Sequence, residues 1–121
     1  MSELDNQIRK FQKELSAGTV SLALLAVLAA AAEPMYGYQI AKRLELVGEG
    51  VLSGKQSALY PVLRNLSAAG LLDSHVEPSV AGPPRRYYRI TGVGHEVLLA
   101  WTSAWRATRD SVDSVLEGVT P

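Results

Sequence analysis

The first third of the chain carries hydrophobic residues at helical spacing, in two patterns of different width. Residues 2–16 have a single narrow apolar seam, formed by Leu4, Ile8, Phe11 and Leu15. So thin a seam predicts a helix that docks on another helix, with a frayed chain terminus as the alternative. Residues 18–32 are rich in Leu and Ala on every side and predict a second, central and buried helix. This helix ends at Glu33-Pro34, because the residue before a proline avoids the helical region.

Two further helices are predicted on either side of a glycine-containing turn. The first covers residues 35–47, and its inner face consists of Ile40, Ala41 and Leu44. Gly48 and Gly50 then break the pattern, and the second helix lies within residues 52–72. Two helices joined by such a turn, the second with a polar outer face, predict a helix-turn-helix.

The second of these helices has recognisable ends. Ser53 and Gln56 have the S-x-x-Q spacing of a capping box, and Gly70 suits the residue that follows a helix. Its apolar stripe consists of Leu59, Leu63 and Leu66. Pro61 falls opposite that stripe, so we expect the helix to continue past it with the ring toward solvent.

The polar side of the same helix carries groups that can bind DNA. These are Lys55, Gln56, Ser57, Arg64 and Asn65, with Tyr60 at the margin. Cations and hydroxyls donate to phosphate oxygens, and amides can read base edges in the major groove. An ordinary amphipathic helix with a solvated face is the alternative interpretation.

Two strands are predicted after this helix. Residues 71–77 alternate in polarity, and residues 85–90 are rich in residues that favour strands, with a Pro- and Gly-containing loop between them. A hairpin after a helix-turn-helix predicts a winged helix, and the paired Arg85 and Arg86 would lie on the wing, near phosphates or the minor groove. A solvated basic turn is the alternative, and His75 is expected to be a solvated strand residue.

The last helix is predicted from a cap at Thr91 to about Glu117. Its apolar positions recur about every three and a half residues over several turns, as in a coiled coil. They are Val97, Leu98, Trp101, Ala104, Trp105, Thr108, Val112, Val115 and Leu116. Two tryptophans on such a face are expected at an interface rather than in water. We therefore interpret this helix and the first one as a dimer interface.

Composition narrows the function classes. The formal net charge is zero, but residues 36–90 carry seven Lys and Arg side chains against four Asp and Glu, so the middle of the chain is basic. Local cations, not the average, decide DNA binding. The chain has no Cys and only two His, which argues against a metal site, and neither a nucleophile motif nor a phosphate loop supports an enzyme or a cofactor. The polar, acidic start and the 13-residue apolar run 20–32 favour a cytoplasmic protein without a membrane span.

Five stretches of the chain form a specific combination: Y-G-Y-Q-I-A-K-R-L (36–44), A-L-Y-P-V-L-R-N-L (58–66), G-L-L (70–72), G-P-P-R-R-Y-Y-R-I-T (82–91) and G-H-E (94–96). In their order and spacing, and over roughly residues 18–117, they resemble the short form of the PadR family of bacterial transcriptional regulators. The resemblance implies a mainly α fold with a small β-wing, in which a winged helix-turn-helix is flanked by an N-terminal and a long C-terminal dimerisation helix. The corresponding division is 1–17, 18–91 and 92–117, with a tail at 118–121.

The resemblance also implies partners and residue roles. A homodimer would bind double-stranded operator DNA, usually to repress its own or a neighbouring gene, often one for multidrug transport or stress. DNA-binding roles fall on Tyr38, Gln39, Lys55, Gln56, Ser57, Tyr60, Arg64, Arg85 and Arg86. The dimer interface falls on Leu4, Ile8, Phe11, Leu98, Trp101, Trp105, Val112 and Leu116. In some members a flat apolar effector lies between the subunits. By this resemblance Trp101 and Trp105 would bind an effector, and the alternative is that they only pack the dimer interface. A winged helix that binds only proteins is the alternative function.

Overall fold

The computed structural model describes residues 2–48 and 56–119 of the 121-residue chain. Within them lie four helices, α1 (Glu3–Ala30), α2 (Gly37–Val47), α3 (Gln56–Ala68) and α4 (Gly92–Glu117). They are accompanied by three strands, β1 (Met35–Tyr36), β2 (Leu72–Glu77) and β3 (Arg85–Ile90). The mainly helical fold with a small sheet is the one predicted.

The first two predicted helices form one continuous helix, so the predicted break near residue 17 is wrong. Gly18 weakens a helix interior by only about 1 kcal/mol relative to Ala and does not end it. The Thr19 hydroxyl donates to the carbonyl of Leu15 at 2.9 Å, so it bonds to the preceding turn instead of capping a new helix. The cap of the whole helix is Ser2, whose Oγ accepts from the backbone N–H of Asp5 at 3.1 Å. The domain boundary at 17/18 therefore falls inside α1 and stays a prediction.

The continuity of α1 also changes the argument about membranes. Among the described residues, α1 is the one helix long and apolar enough to cross a bilayer by length and composition. The core helix of a soluble protein meets the same criterion. Here Leu24, Leu25 and Leu28 are almost completely buried in the core, where leucines of a membrane-spanning surface would be exposed.

One apolar core joins α1, α2, α3 and the sheet. It consists of Leu24, Leu25, Leu28, Ile40, Leu44, Leu59, Leu63, Leu66, Leu71, Leu72 and Tyr88. The predicted inner faces of the helix-turn-helix supply five of these residues, which fixes α3 against α2 and leaves the opposite side of α3 exposed.

The carboxyl end of α3 forms a Schellman turn. Gly70 has a φ of +80°, the N–H of Leu71 donates to the carbonyl of Leu66, and that of Gly70 donates to Ser67, both at 3.0 Å. The predicted role of Gly70 is confirmed, and Pro61 lies inside α3 with its ring exposed, as expected. The predicted cap at Ser53 lies outside the described residues.

The sheet has the order β1-β3-β2 and is antiparallel throughout. Strand β1 was predicted as the first turn of a helix, and this prediction is wrong. Met35 and Tyr36 instead pair with Tyr88 and Tyr87, and α2 starts two residues later than predicted. The pairing with β3 keeps Met35 and Tyr36 extended, and the N–H of Tyr36 donates to the side-chain oxygen of Gln39 at 3.1 Å.

The start of α4 is joined tightly to the end of α3. Thr91 accepts from the N–H of Gly94 at 3.0 Å, which confirms the predicted cap, and donates through its hydroxyl to the carbonyl of Gly70 at 2.7 Å. A side chain on Gly94 would overlap the backbone carbonyl of Leu71. The long last helix therefore leaves the core in a direction set by the turn that ends α3.

Candidate nucleic-acid interface

Strand alternation places the two wing arginines on opposite faces of the sheet. Arg85 lies across from Glu77, and Arg86 lies across from Val76. Successive side chains of a strand point to opposite sides, so one arginine faces the helices and the other faces away. The sequence analysis treated them as a pair, whereas in the structure each has its own surroundings.

Arg86 lies on the inner face of the sheet, the same face as the buried Tyr88. Its Nη1 donates to the Ser74 hydroxyl at 3.0 Å across the hairpin. Burial raises the pKa of Tyr88 above its ordinary value of 10.0, and the nearby guanidinium groups of Arg86 and Arg64 act in the opposite direction. Both charges act on the same hydroxyl, so Arg64 of α3 and Arg86 of the wing are both in the neighbourhood of Tyr88. Arg64 is exposed and has no hydrogen-bond or ion-pair partner among the described residues.

On the outer face, aromatic rings form a continuous row. The guanidinium of Arg85 lies 4.5 Å from the centre of the Tyr36 ring. Tyr36 meets Tyr87 edge to face at 5.4 Å, and Tyr87 stacks with His75 at 5.6 Å. His75 is half exposed, as predicted, and its Nε2 is 2.9 Å from a carboxylate oxygen of Glu77.

The amino end of α2 continues this surface. The ring of Tyr38 is 51% exposed and stacks near Tyr36 at 6.4 Å, and the Lys42 ammonium lies 5.9 Å from its centre. Gln39 is exposed, but its side-chain oxygen already accepts the Tyr36 N–H. Tyr38 is thus available to a partner, while Gln39 also caps its own helix.

Tyr60 has a packing role that the sequence analysis missed. A Cβ added to Gly37 would lie 2.8 Å from the Tyr60 ring and hydroxyl, so the ring of α3 rests directly on the first residue of α2. Any larger residue at position 37 would require the Tyr60 ring to shift. The Y-G-Y pattern contained the signal, but a single sequence does not say which ring fills the space above a glycine.

An open cleft of about 380 Å³ separates the amino end of α2 from the wing loop. Its polar lining includes Tyr36, Tyr60, Ser79, Arg85 and Arg86. Positive charge and hydroxyl groups in a concave, solvent-open setting suit an anion such as a DNA phosphate.

Comparison with known proteins decides the family. Residues 24–100 match the transcriptional regulator PadR-like family. The chain belongs to the PadR-like family. A PadR family transcriptional regulator from Eggerthella lenta is 33% identical with a TM-score of 0.77, covering 94% of this chain and 96% of that one. A PadR-like transcription factor from Bacteroides fragilis is 27% identical with a TM-score of 0.66 over 94% and 99% of the two chains.

A third relative agrees with these two. A PadR-like transcriptional regulator from Bacillus cereus is 25% identical with a TM-score of 0.68, covering 85% of this chain and 96% of that one. The resemblance noted from the sequence is thereby confirmed. This PadR-like chain has a winged-helix fold and belongs to the DNA-binding transcriptional regulators.

Three of the predicted DNA-binding residues of this PadR-like chain cannot be placed. Lys55 lies outside the described residues, and the side chains of Gln56 and Ser57 lie outside them too, although α3 begins at Gln56. The DNA contacts of these three residues stay predictions.

The predicted interface residues lie along two arms of the PadR-like chain. On α1 they are exposed: Leu4 by 68%, Ile8 by 48% and Phe11 by 61%. On α4, Leu98 and Trp101 are half-buried, and Trp105, Val112 and Leu116 are exposed. Trp101 and Trp105 line one mostly apolar groove of about 400 Å³ between α1 and α4, whose lining also includes Glu14. Among the described residues, no three His, Asp or Glu side chains are grouped closely enough to hold a metal ion.

Proposed function

We propose that this PadR-family protein is a cytoplasmic homodimeric repressor of its own or a neighbouring gene. The observation that carries the proposal is the placement of Arg64 on the exposed side of α3 and Arg86 on the wing, both near the Tyr88 hydroxyl. Cations on a recognition helix and on the adjacent wing can hold one stretch of backbone phosphates while the start of the helix enters the major groove.

The dimer is supported by the apolar seam of α1. A monomer would leave Leu4, Ile8, Phe11 and Leu15 about half exposed or more, in one row on one face of a helix. Contiguous exposed apolar surface of this kind marks an interface in a soluble protein. Pairing with the exposed half of α4 in a second copy would cover it, and a two-fold dimer would place its recognition helices about 34–36 Å apart.

Base reading falls on the start of α3. Lys55, Gln56 and Ser57 occupy the first turn of the helix or the residue before it, the part that enters the groove in helix-turn-helix proteins. Gln56→Ala should relax the preference at one base pair by about 1–3 kcal/mol. Competition between the operator and single-base variants measures this. Equal losses on operator and random DNA would remove the reading role of Gln56.

The effector is proposed to occupy the groove of Trp101 and Trp105. The groove is mostly apolar and its lining includes Glu14, so it suits a flat, apolar, aromatic compound, preferably a cation. Binding would alter the spacing of the two recognition helices and weaken operator binding through a coupling of about 1–3 kcal/mol. Tryptophan fluorescence tests it with a panel of flat aromatic cations. If none quenches while operator binding is intact, the effector part fails and the tryptophans simply pack the interface.

A titration tests the DNA-binding proposal as a whole. The protein is titrated at two salt concentrations against DNA from upstream of its own gene, or against sites selected from random sequence, with random competitor present. We expect competitor-resistant binding that weakens steeply with salt. Weak, equal binding to selected and random DNA would instead favour a winged helix that acts through protein contacts.

A further inference from the structure

Tyr36 lies where β1, α2 and the wing meet, and the DNA-contact predictions assign it nothing. We propose that Tyr36 is a positioning residue: its ring holds the guanidinium of Arg85 so that the free N–H edge binds a backbone phosphate of the operator. The proposal rests on the DNA-binding function proposed above and adds to it the residue that orients one of the wing cations.

The surroundings of three arginines on β3 differ in a way that singles out Arg85. Arg86 donates to the Ser74 hydroxyl, and Arg89 lies 3.6 Å from a carboxylate oxygen of Asp73. Arg85 has no hydrogen bond or ion pair with any described residue, and its contact is the Tyr36 ring at 4.5 Å. Its guanidinium is thus held by a ring face while its donors stay unused.

The ring that holds Arg85 is itself fixed in place. The Tyr36 backbone pairs with Tyr87 in the sheet, and its N–H is bound by Gln39 at the start of α2. Its ring contacts that of Tyr87 edge to face at 5.4 Å and stacks near that of Tyr38 at 6.4 Å. A side chain fixed at both backbone and ring can orient a partner without losing further conformational freedom.

The chemistry of a stacked guanidinium fits a phosphate. A cation over an aromatic face is attracted by the ring quadrupole, and the planar fork of N–H donors remains free at its edge. Phosphate oxygens accept such a fork through two parallel hydrogen bonds. Arg85 and Tyr36 line the same open cleft, which also carries Arg86 and faces the amino end of α2, where helix polarity favours an anion. Pre-ordering a long side chain lowers the cost of binding when the phosphate arrives.

A double-mutant cycle tests the coupling of the two residues. Operator affinity is measured for wild type, Tyr36→Leu, Arg85→Ala and the double variant, with Tyr36→Phe as the variant that keeps the ring face. We expect Tyr36→Leu to weaken binding about two- to fivefold per wing, and so about fourfold to twenty-five-fold for two wings. Tyr36→Phe should change it less than twofold, and Tyr36→Leu should have no further effect once Arg85 is Ala.

Arg89→Ala supplies the matched control. Arg89 is on the same strand and the same outer face as Arg85, but its partner is a carboxylate and not a ring. Tyr36→Leu should cost as much in the Arg89→Ala background as in wild type. Circular dichroism and thermal unfolding verify that each variant is folded.

Each outcome is decisive. Equal losses from Tyr36→Leu with and without Arg85 would overturn the proposal and make Tyr36 a direct contact or a residue needed for the fold. No loss from Arg85→Ala, with operator binding intact, would also overturn it and leave the DNA-binding function standing on α3. If the wild type binds no operator at all, the proposed function fails first.

Discussion

The two halves of α1 differ sharply in burial although both are rich in large apolar residues. In the second half, Leu24 and Leu25 are completely buried. In the first half, Leu4 is 68% and Phe11 61% exposed. The same kind of side chain in the same helix is therefore buried within the chain at one end and mostly exposed at the other.

The same contrast recurs along α4. Its first turn is joined to the end of α3 through Thr91 and Gly94, and Trp101 is half-buried against the core. Farther along, Val112 is 50% and Val115 75% exposed. We call residues 19–48 and 56–101 the head, and residues 3–18 and 102–117 the arms. The whole buried core lies in the head, which also leaves several apolar side chains exposed, whereas every large apolar side chain of the arms is exposed. Rows of exposed apolar residues along two helices are the pattern of a domain that completes itself in a dimer.

The largest effect on the free energy of unfolding is expected from a substitution at the junction between the end of α3 and the start of α4. In Gly94→Ala, the added methyl would overlap the carbonyl oxygen of Leu71 and lie 2.7 Å from Ile90 Cγ1. Because the first obstacle is backbone, the turn itself must move, and we expect a loss of about 3 kcal/mol or more in the free energy of unfolding. Urea unfolding measures it.

Gly92→Ala, two residues earlier and with no atom near its added methyl, is the matched control and should be neutral or slightly stabilising. Equal urea midpoints for Gly92→Ala and Gly94→Ala would show that the tight junction described between α3 and α4 is incorrect.

The next largest effect is expected on dimerisation, through a substitution in the α1 arm that leaves the head folded. Phe11→Asp places a charge in the middle of the seam, and we expect the dimer to weaken by about 2 kcal/mol or more while the head stays folded. Sedimentation measures the dissociation constant, and circular dichroism monitors the fold. Asn6→Asp adds the same charge on the opposite side of α1 and should leave the dimer intact. If the two variants associate equally, the seam is not the interface.

A smaller effect is expected from single cations of the head. Arg64→Ala and Arg86→Ala should each weaken binding to operator and random DNA alike, and each should reduce the salt slope by about one for every phosphate that is no longer neutralised. Arg109→Ala is the control, since Arg109 lies on the α4 arm and pairs with Asp110 at 3.1 Å. Filter-binding titrations between two salt concentrations give the slopes, and an unchanged slope for Arg86→Ala would remove the wing from the interface.

The smallest effect concerns alkaline pH in the head. Burial raises the pKa of Tyr88 above 10.0, so its neutral form contributes stability that is complete below about pH 10 and is lost as the pH rises through the folded-state value. Urea midpoints from pH 8 to 11 should therefore fall less in Tyr88→Phe than in wild type. A parallel fall in both proteins would mean that another group causes the loss.

Local patterns sufficed where neighbouring residues decide the structure. The bounds of β3, the cap at Thr91 and the left-handed Gly70 follow from residue types within one turn or strand, and the core leucines follow from helical spacing. The family motifs then supplied the winged-helix arrangement.

Patterns failed where distant contacts decide. The residues near Gly18 do not indicate whether a helix ends there, because the second half of the helix is held by its packing in the core and not by a local signal. Strand β1 is too short to show alternation, and its pairing with β3 joins residues about fifty positions apart. The sequence analysis treated Arg85 and Arg86 as a pair, although strand alternation already indicates opposite faces. Only the register shows which arginine contacts Ser74 and which contacts Tyr36.

The mass of the protein–operator complex tests the central claim, that a DNA-binding head is completed by dimerising arms. Sedimentation of wild type with a labelled operator fragment should give two chains per site, and Phe11→Asp should form no such complex at concentrations that saturate the wild type. One chain bound per site, or equal binding by Phe11→Asp, would contradict the account.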